Sequence, residues 1–275
     1  MSNQVTTIIT TDKAVANNEK RLSICLRSNG FSFSIVTLDQ VLLTFGQADF
    51  DFNQQLGNQI QAVKDLFAAN DINTFEMKQM SLIVPTENFA WIPYHLYDTQ
   101  YDRQYLKMVG RPDVNQGIFH TLVPLLNSYM VFSAPSAVVT AFKVALPGID
   151  VHCQHSILIN ETLMQRSMGH PLMVLHIGEQ KGDIEAFYAN QLLLSNSFVF
   201  QNGNELLYHT LGVMKQLHLE TPDMELAICG NVGRDGFAFL QRYFPNVTLY
   251  CGRQVTFVNP DFQTFPTYKH ALLLS

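Results

Sequence analysis

The chain has 275 residues, 47% apolar and 15% charged, a composition that supports a folded core and excludes a disordered chain. Its net charge is −6, with 17 Lys and Arg and no basic run, which argues against a nucleic-acid partner because phosphate neutralisation needs clustered cations. No apolar stretch approaches the ~20 residues that cross a bilayer, and the polar start (Ser2, Asn3, Gln4, Thr6, Thr7) lacks an apolar leader core, so a cytoplasmic location is expected.

Residues 1–20 read as a loosely held tail. Arg21 to Arg27 alternates as a strand and ends at Ser28-Asn29-Gly30, where Asn-Gly is a strong hairpin signal. Phe31 to Thr37 returns, Leu38-Asp39-Gln40 turns, and Val41 to Phe45 makes a third strand. Asp49 and Asp51 offer helix-start carboxylates. The spacing of Leu56, Ile60, Val63 and Phe67 predicts a helix over about 53–69 with those four facing inward. Ser81 to Val84 is a short strand. Ser128 to Phe132, a helix from Pro135 to Leu146, a strand from Ile149 to Cys153 and a helix from Ile157 to Met168 complete a first half at 21–169. Residues 88–126 lie between these as an insertion.

A second half, 170–275, follows the same order: strands at Met173–Ile177, Asp183–Tyr188 and Leu192–Phe200, then a helix from Gly203-Asn204 with Leu206, Val213, Met214 and Leu217 inward. Glu225 to Cys229, a helix through Phe237, Leu240 and Tyr243, a strand at Val247–Tyr250 and a closing helix over Pro266–Leu274 follow. A shift of 150 positions matches Leu22 with Leu172, Leu42-Leu43 with Leu192-Leu193, Phe50 with Phe200, Leu56 with Leu206 and Val63 with Val213. A hinge between the halves is expected near Ser167-Met168-Gly169.

The chemistry-bearing residue types are sparse. Cys25, Cys153, Cys229 and Cys251 are widely spaced and read as buried thiols. His152, Cys153 and His155 cluster, but a zinc site wants four convergent ligands and no second pair is evident, so no metal is expected. His209 and His218 are not at a ligand spacing. A nuclease would need converging carboxylates on the first strand, which carries none. The insertion concentrates aromatics: Phe89, Trp91, Tyr94, Tyr97, Tyr101 and Tyr105, the four tyrosines at helical spacing on one face.

A duplicated βββαβαβα unit resembles the actin-like superfamily, whose halves are ribonuclease-H-like α/β domains. Ser128 to Pro135, the following helix and Gly148-Ile149-Asp150-Val151 look like the end of the first half in its pilus-assembly and secretion members. His170 to Gly178 looks like their second opening strand. The whole chain also resembles a bacterial family of unknown function with this fold. The resemblance implies a nucleotide cleft in which a carboxylate near the end of each opening strand organises Mg²⁺, and two hairpin turns donate N–H groups to the phosphates.

Arg27, Ser28, Asn29 and Gly30 would form the first turn, and His176, Gly178 and Lys181 belong to the second, with Glu179 and Gln180 where a Ser or Thr is usual. Gly203, after Asn202, and Gly230-Asn231 stand where paired glycines meet the adenosine. His176 occupies the expected Asp position, and imidazole is a poor Mg²⁺ ligand. The resulting expectation is a non-catalytic actin-like scaffold with a degenerate cleft and no catalytic residue. An aromatic stripe of this kind packs in a core more often than at an interface; read instead as a surface, the insertion around Trp91, Tyr94, Tyr97, Tyr101 and Tyr105 would bind a protein partner or a second copy, since insertions in this half commonly mediate assembly in the superfamily. The alternative is an ATP-binding switch in which Arg27 and Lys181 replace metal charge. A sugar-kinase-like transferase would need a catalytic carboxylate that no residue supplies.

Overall fold

The computed structural model describes residues 5–10, 19–110, 113–165, 169–178 and 180–275. The first half contains β1 (Val5–Thr10), β2 (Lys20–Arg27), β3 (Gly30–Thr37), β4 (Val41–Asp49), α1 (Leu56–Ala69), β5 (Met77–Val84) and β6 (Phe89–Pro93). It continues through α2 (Asp102–Lys107), β7 (Gln116–Val123), β8 (Ser128–Pro135), α3 (Ser136–Ala145), β9 (Asp150–Cys153) and α4 (Gln154–Gln165). The second contains β10 (Leu172–Ile177), β11 (Lys181–Tyr188), β12 (Gln191–Val199), α5 (Gly203–Leu217), β13 (Glu225–Gly230), α6 (Arg234–Gln241), β14 (Val247–Leu249) and β15 (Thr256–Phe257). Two compact units result: residues 1–156 with 254–265 and Leu274, and residues 157–253 with 266–273 and Ser275.

Each unit carries a sheet of the same topology. The first runs β1-β4-β3-β2-β5-β9, with β15 also on β4, and the second runs β12-β11-β10-β13-β14. In both, an antiparallel meander feeds a helix that crosses to a parallel strand beside the first. One hydrogen bond recurs in both copies: the Phe50 N–H donates to the Asn29 carbonyl at 3.0 Å and the Phe200 N–H to the Gln180 carbonyl at 3.0 Å. The chain is thus α/β, with duplicated ribonuclease-H-like halves.

The uniform shift of 150 needs one adjustment. Cys25 pairs with Ser32 on the face away from the first core, and His176 pairs with Asp183 on the corresponding face. The first hairpin therefore repeats at an offset of 151, while Gln47 and Ser197, the partners of Ser32 and Asp183, repeat at 150. A one-residue slip exchanges the two faces of a strand, so the sequence match of Leu22 with Leu172 pairs a core residue with one on the opposite side.

The first core lies between the sheet and the α1–α3 pair. Phe31, Phe33, Phe67, Val63 and Phe142 are buried there, with Phe31 edge-on to Phe142 at 5.2 Å and Phe33 to Phe67 at 5.3 Å. Each such side chain contributes roughly 1.5–3 kcal/mol by burial, and an edge-on pair about 0.5–1.5 kcal/mol more. Helix α1 starts at Leu56, later than expected, and Leu56 is exposed. Gln59 turns inward instead, its amide nitrogen donating to the carbonyls of Phe52 and Gln54. Asp51 closes the preceding turn by accepting from the Asn53 N–H, and Asp49 ends β4, so neither carboxylate caps the helix.

Several expectations give way. The stretch read as a tail contains β1, antiparallel to β4 with Ile8 opposite Gly46; residues 1–4 and 11–18 lie outside the described residues. Strand β8, expected in the first half's own sheet, is the centre of a separate antiparallel sheet, β6-β8-β7. The carboxy-terminal helix is a 3-10 turn at Thr267–His270. The hinge residues Ser167 and Met168 lie outside the described residues.

Gly30 faces the β4 backbone: a Cβ there would lie 2.1 Å from the Ala48 carbonyl oxygen. Gly30→Ala should destabilise the fold by about 3 kcal/mol, the upper end for overpacking, read as a lowered urea midpoint. Gly212, in the interior of α5 with open space around it, should give the opposite sign, with Gly212→Ala stabilising by about 0.5–1 kcal/mol.

His152 on β9 bonds Thr121 of β7 through Nδ1 at 3.1 Å, and burial, opposed by Asp150, holds its pKa below the ordinary 6.5. Unfolding then takes up a proton as pH falls below 6.5, so this residue's stabilisation is present above that value and is lost on acidification through the lower folded one. The slope of stability against pH in that window should flatten in His152→Asn, measured by urea unfolding at stepped pH.

Candidate functional site

In the first unit, Arg27 and Gly30 pair across a two-residue turn of Ser28 and Asn29. The Arg27 guanidinium lies along the end of β4. Its Nη2 donates to the Ala48 carbonyl at 3.2 Å and stands 3.8 Å from Asp49 Oδ1. Asn29 spends its carbonyl on Phe50, and Gly30 is required by Ala48, so the geometry of this turn is accounted for by β4 itself. At the neighbouring strand ends, the Gln154 amide clasps the Thr86 backbone: its Oε1 accepts from the Thr86 N–H and its Nε2 donates to the Thr86 carbonyl, each at 2.9 Å.

In the second unit, the ends of β10 and β13 bring His176, Gly178, Lys181, Gly230 and Asn231 together. The Gly178 N–H donates to the Lys181 carbonyl at 2.8 Å, and the Asn231 N–H to the Ile177 carbonyl at 2.6 Å. Gly230 has φ +86°, and a Cβ on it would stand 2.3 Å from the Ile177 oxygen and 3.0 Å from the His176 ring. Glycine is thus imposed at this position by its left-handed backbone and by β10. Glu179 lies outside the described residues. Gly203 opens α5, where the Asn202 side chain accepts from the N–H groups of Asn204 and Glu205, and Glu205 accepts from that of Gln201. This reciprocal cap uses the N–H groups at the helix start that an anion would otherwise meet.

A polar row crosses this sheet that the sequence reading missed. Ser197 of β12, Asp183 of β11, His176 of β10 and Cys229 of β13 are successive register partners. Asp183 accepts from Ser197 Oγ at 2.7 Å through one oxygen and contacts His176 Nδ1 at 3.0 Å through the other. Burial first, and then the Asp183 charge, push the Cys229 thiol well above its usual range, so it stays protonated and unreactive. Glu185, two residues beyond Asp183 on the same face, is also buried. The sequence signal was the polar alternation Asp183-Ile184-Glu185 in a strand flanked by apolar neighbours.

His152, Cys153 and His155 diverge: His152 bonds Thr121, the Cys153 thiol donates to Gln154, and the His155 ring lies tilted against Phe89 at 4.1 Å. Among the described residues no group of three His, Cys, Asp or Glu side chains is arranged to hold a metal ion. His209 lies flat against Phe198 at 4.5 Å, and His218 ends α5 in a left-handed conformation.

The four insertion tyrosines do not share a helix face. Tyr94 and Tyr101 lie in separate 3-10 turns and Tyr97 between them, with only Tyr105 in the six-residue α2. Proline at 93 and the Asp98 side chain, which accepts from the Gln100 N–H, break the segment into turns. The rings divide into two roles. Tyr97 stacks on Tyr129 at 3.9 Å and lies beside His120 at 5.4 Å; burial, followed by the neighbouring Asp102, raises its phenol pKa. Tyr105 Oη donates to the Leu96 carbonyl and accepts from the Asp98 N–H, and Trp91 packs on the first core. Tyr94 and Tyr101 remain 53% and 51% exposed.

No helix among the described residues is long and apolar enough to cross a membrane. Among solved structures, the chain is similar to a Bacteroides thetaiotaomicron VPI-5482 protein with an actin-like ATPase fold and unknown function. The identity is 20% and the TM-score 0.72, over 87% of this chain and 93% of that one. It is also similar to a PilM–PilN type IV pilus biogenesis complex, at 10% identity and TM-score 0.56, over 92% of this chain and 96% of that one. No curated protein matches. A family model described as protein of unknown function (DUF3822) matches residues 10–247, and the chain belongs to that family.

Proposed function

We propose that this chain is a non-catalytic actin-like scaffold: a protein-interaction module that keeps the fold and has given up the nucleotide chemistry. The observation that carries this reading is the His176–Asp183–Ser197 row. At the position where the fold would place a metal-organising carboxylate stands an imidazole, and the nearest carboxylate, Asp183, is buried with both oxygens occupied. Lending it to Mg²⁺ would strip two hydrogen bonds from a buried group, each worth about 1.5–3 kcal/mol where a charge is involved. Arg27, engaged by Ala48 and Asp49, likewise supports the scaffold over the switch. The similarity to a PilM–PilN complex supports a protein partner, and the exposed Tyr94 and Tyr101 rings offer it a surface of the kind that dominates interface energetics.

Thermal unfolding with and without Mg²⁺-ATP and Mg²⁺-ADP tests the reading. The midpoint should not move. Ligand at about 100 times its dissociation constant adds about 2.7 kcal/mol, which would appear as a rise of several degrees. A rise of that size, abolished by Arg27→Ala with Lys181→Ala, would establish the ATP-binding switch instead.

The two classes of tyrosine should separate in the same assay. Tyr97→Ala removes a stacked, half-buried ring and should cost about 1–3 kcal/mol, whereas Tyr101→Ala should change stability by less than about 0.5 kcal/mol. Equal losses would mean that Tyr101 serves packing and is not available to a partner.

A further inference from the structure

The two halves treat equivalent sheet edges differently. In the first unit, the outer edge of β4 is covered by β1, with Ile8 opposite Gly46 and Thr10 opposite Thr44, and by β15 at Val41 and Leu42. In the second unit, the equivalent β12 is terminal in its sheet, and no strand among the described residues lies beyond it. It is nine residues long, whereas β14 at the opposite edge has three. Natural proteins blunt long edges with charge, proline or brevity, because unpaired backbone groups recruit other strands. Strand β12 reads Gln-Leu-Leu-Leu-Ser-Asn-Ser-Phe-Val and carries neither charge nor proline. A bulge at Leu193 leaves a regular stretch from Leu194 to Val199.

That stretch is self-complementary. Centred on Asn196, the order is apolar, Ser, Asn, Ser, apolar, so an antiparallel strand of the same sequence places Leu194 opposite Phe198 and Ser195 opposite Ser197. Leu194 and Phe198 belong to the face packed beneath α5, so joining two copies continues the apolar face across the seam. Leu193 and Val199, which are 41% and 54% exposed, become neighbours across it. The pairing draws on outward backbone groups and leaves the Ser197–Asp183 bond in place. From the covered edge of β4, the open edge of β12 and this local two-fold sequence symmetry, we propose that β12 is the seam of a homodimer. In it two copies of the chain join their second-unit sheets, antiparallel and two-fold about Asn196, into one sheet of ten strands.

Light scattering and sedimentation of the full chain test the seam. The wild type should run as two chains, shifting to one on dilution. Val199→Lys, a lysine at an exposed edge position, should run as one chain at concentrations where the wild type is paired, with its unfolding midpoint in the dilute monomer unchanged. Leu249→Lys, on β14, should remain paired. Asn196 is its own partner on the axis, so Asn196→Cys should give a disulfide-linked dimer on mild oxidation, while Gln191→Cys and the wild type, with its four free cysteines, should not. A wild type that stays monomeric up to its solubility limit would overturn the proposal. So would a dimer that survives Val199→Lys, or one that crosslinks equally through Gln191→Cys.

Discussion

The second strand of each hairpin is buried on both of its faces, and most of the architecture follows from that constraint. All eight residues of β3 are buried, as are the six inner residues of β11. A strand enclosed on both faces cannot send its polar residues to water, so each polar side chain needs a partner or must be small. On β3 the solution is compact hydroxyls: Ser32 and Ser34 lie opposite Cys25 and Ser23, and Thr37 accepts from the Val41 N–H. On β11 it is partnership: Asp183 takes His176 and Ser197. The same slot in the repeat therefore holds a compact hydroxyl in one copy and a hydrogen-bonded Asp–His–Ser row in the other. On this face, Cys25 and Ser32 of one copy stand where His176 and Asp183 stand in the other.

The glycines at the two turns are imposed by the strands beside them. Gly30 is packed against Ala48, and Gly230 against Ile177 in a left-handed backbone. Both contacts arise where a strand ends beside its neighbour, with no ligand required. Both positions require glycine in this chain whether or not a phosphate approaches them. They report on strand crowding, whereas under the proposed reading His176, standing in place of a carboxylate, is the residue that bears on metal chemistry.

Much of the fold could be read from the sequence. The alternating runs around Ser28-Asn29-Gly30, the helical stripe of Val63 and Phe67, and the order of elements across the repeat all correspond to the structure. The failures have physical causes. A constant shift of 150 conceals the slip in the first hairpin, because Leu22 and Leu172 are both buried even though they face opposite ways. Helical spacing of Tyr94, Tyr97, Tyr101 and Tyr105 carries no information about the turns at Pro93 and Asp98 that interrupt it. Strand β8 has a core strand's composition because it packs on both the first core and the α2 layer, so composition could not say to which sheet it belongs. The Asp183–His176 contact joins two strands across a turn, and only the register of the hairpin brings the two side chains level.

Gln154 shows how side chains can substitute for backbone in this fold. Its primary amide has the same donor and acceptor as a peptide unit, and it meets the N–H and C=O of Thr86 as a residue on an adjacent strand would. The pairing of β5 with β9 ends at Val84 and Cys153, and the Gln154 amide supplies one more rung beyond it. The sheet is thereby lengthened by a side chain at the point where its backbone turns away into α4 and into the insertion. Because a single residue closes both departures, the backbone leading into the inserted sheet and the residue that opens α4 share one pair of hydrogen bonds, and loss of that one amide would leave both strand ends without their last rung.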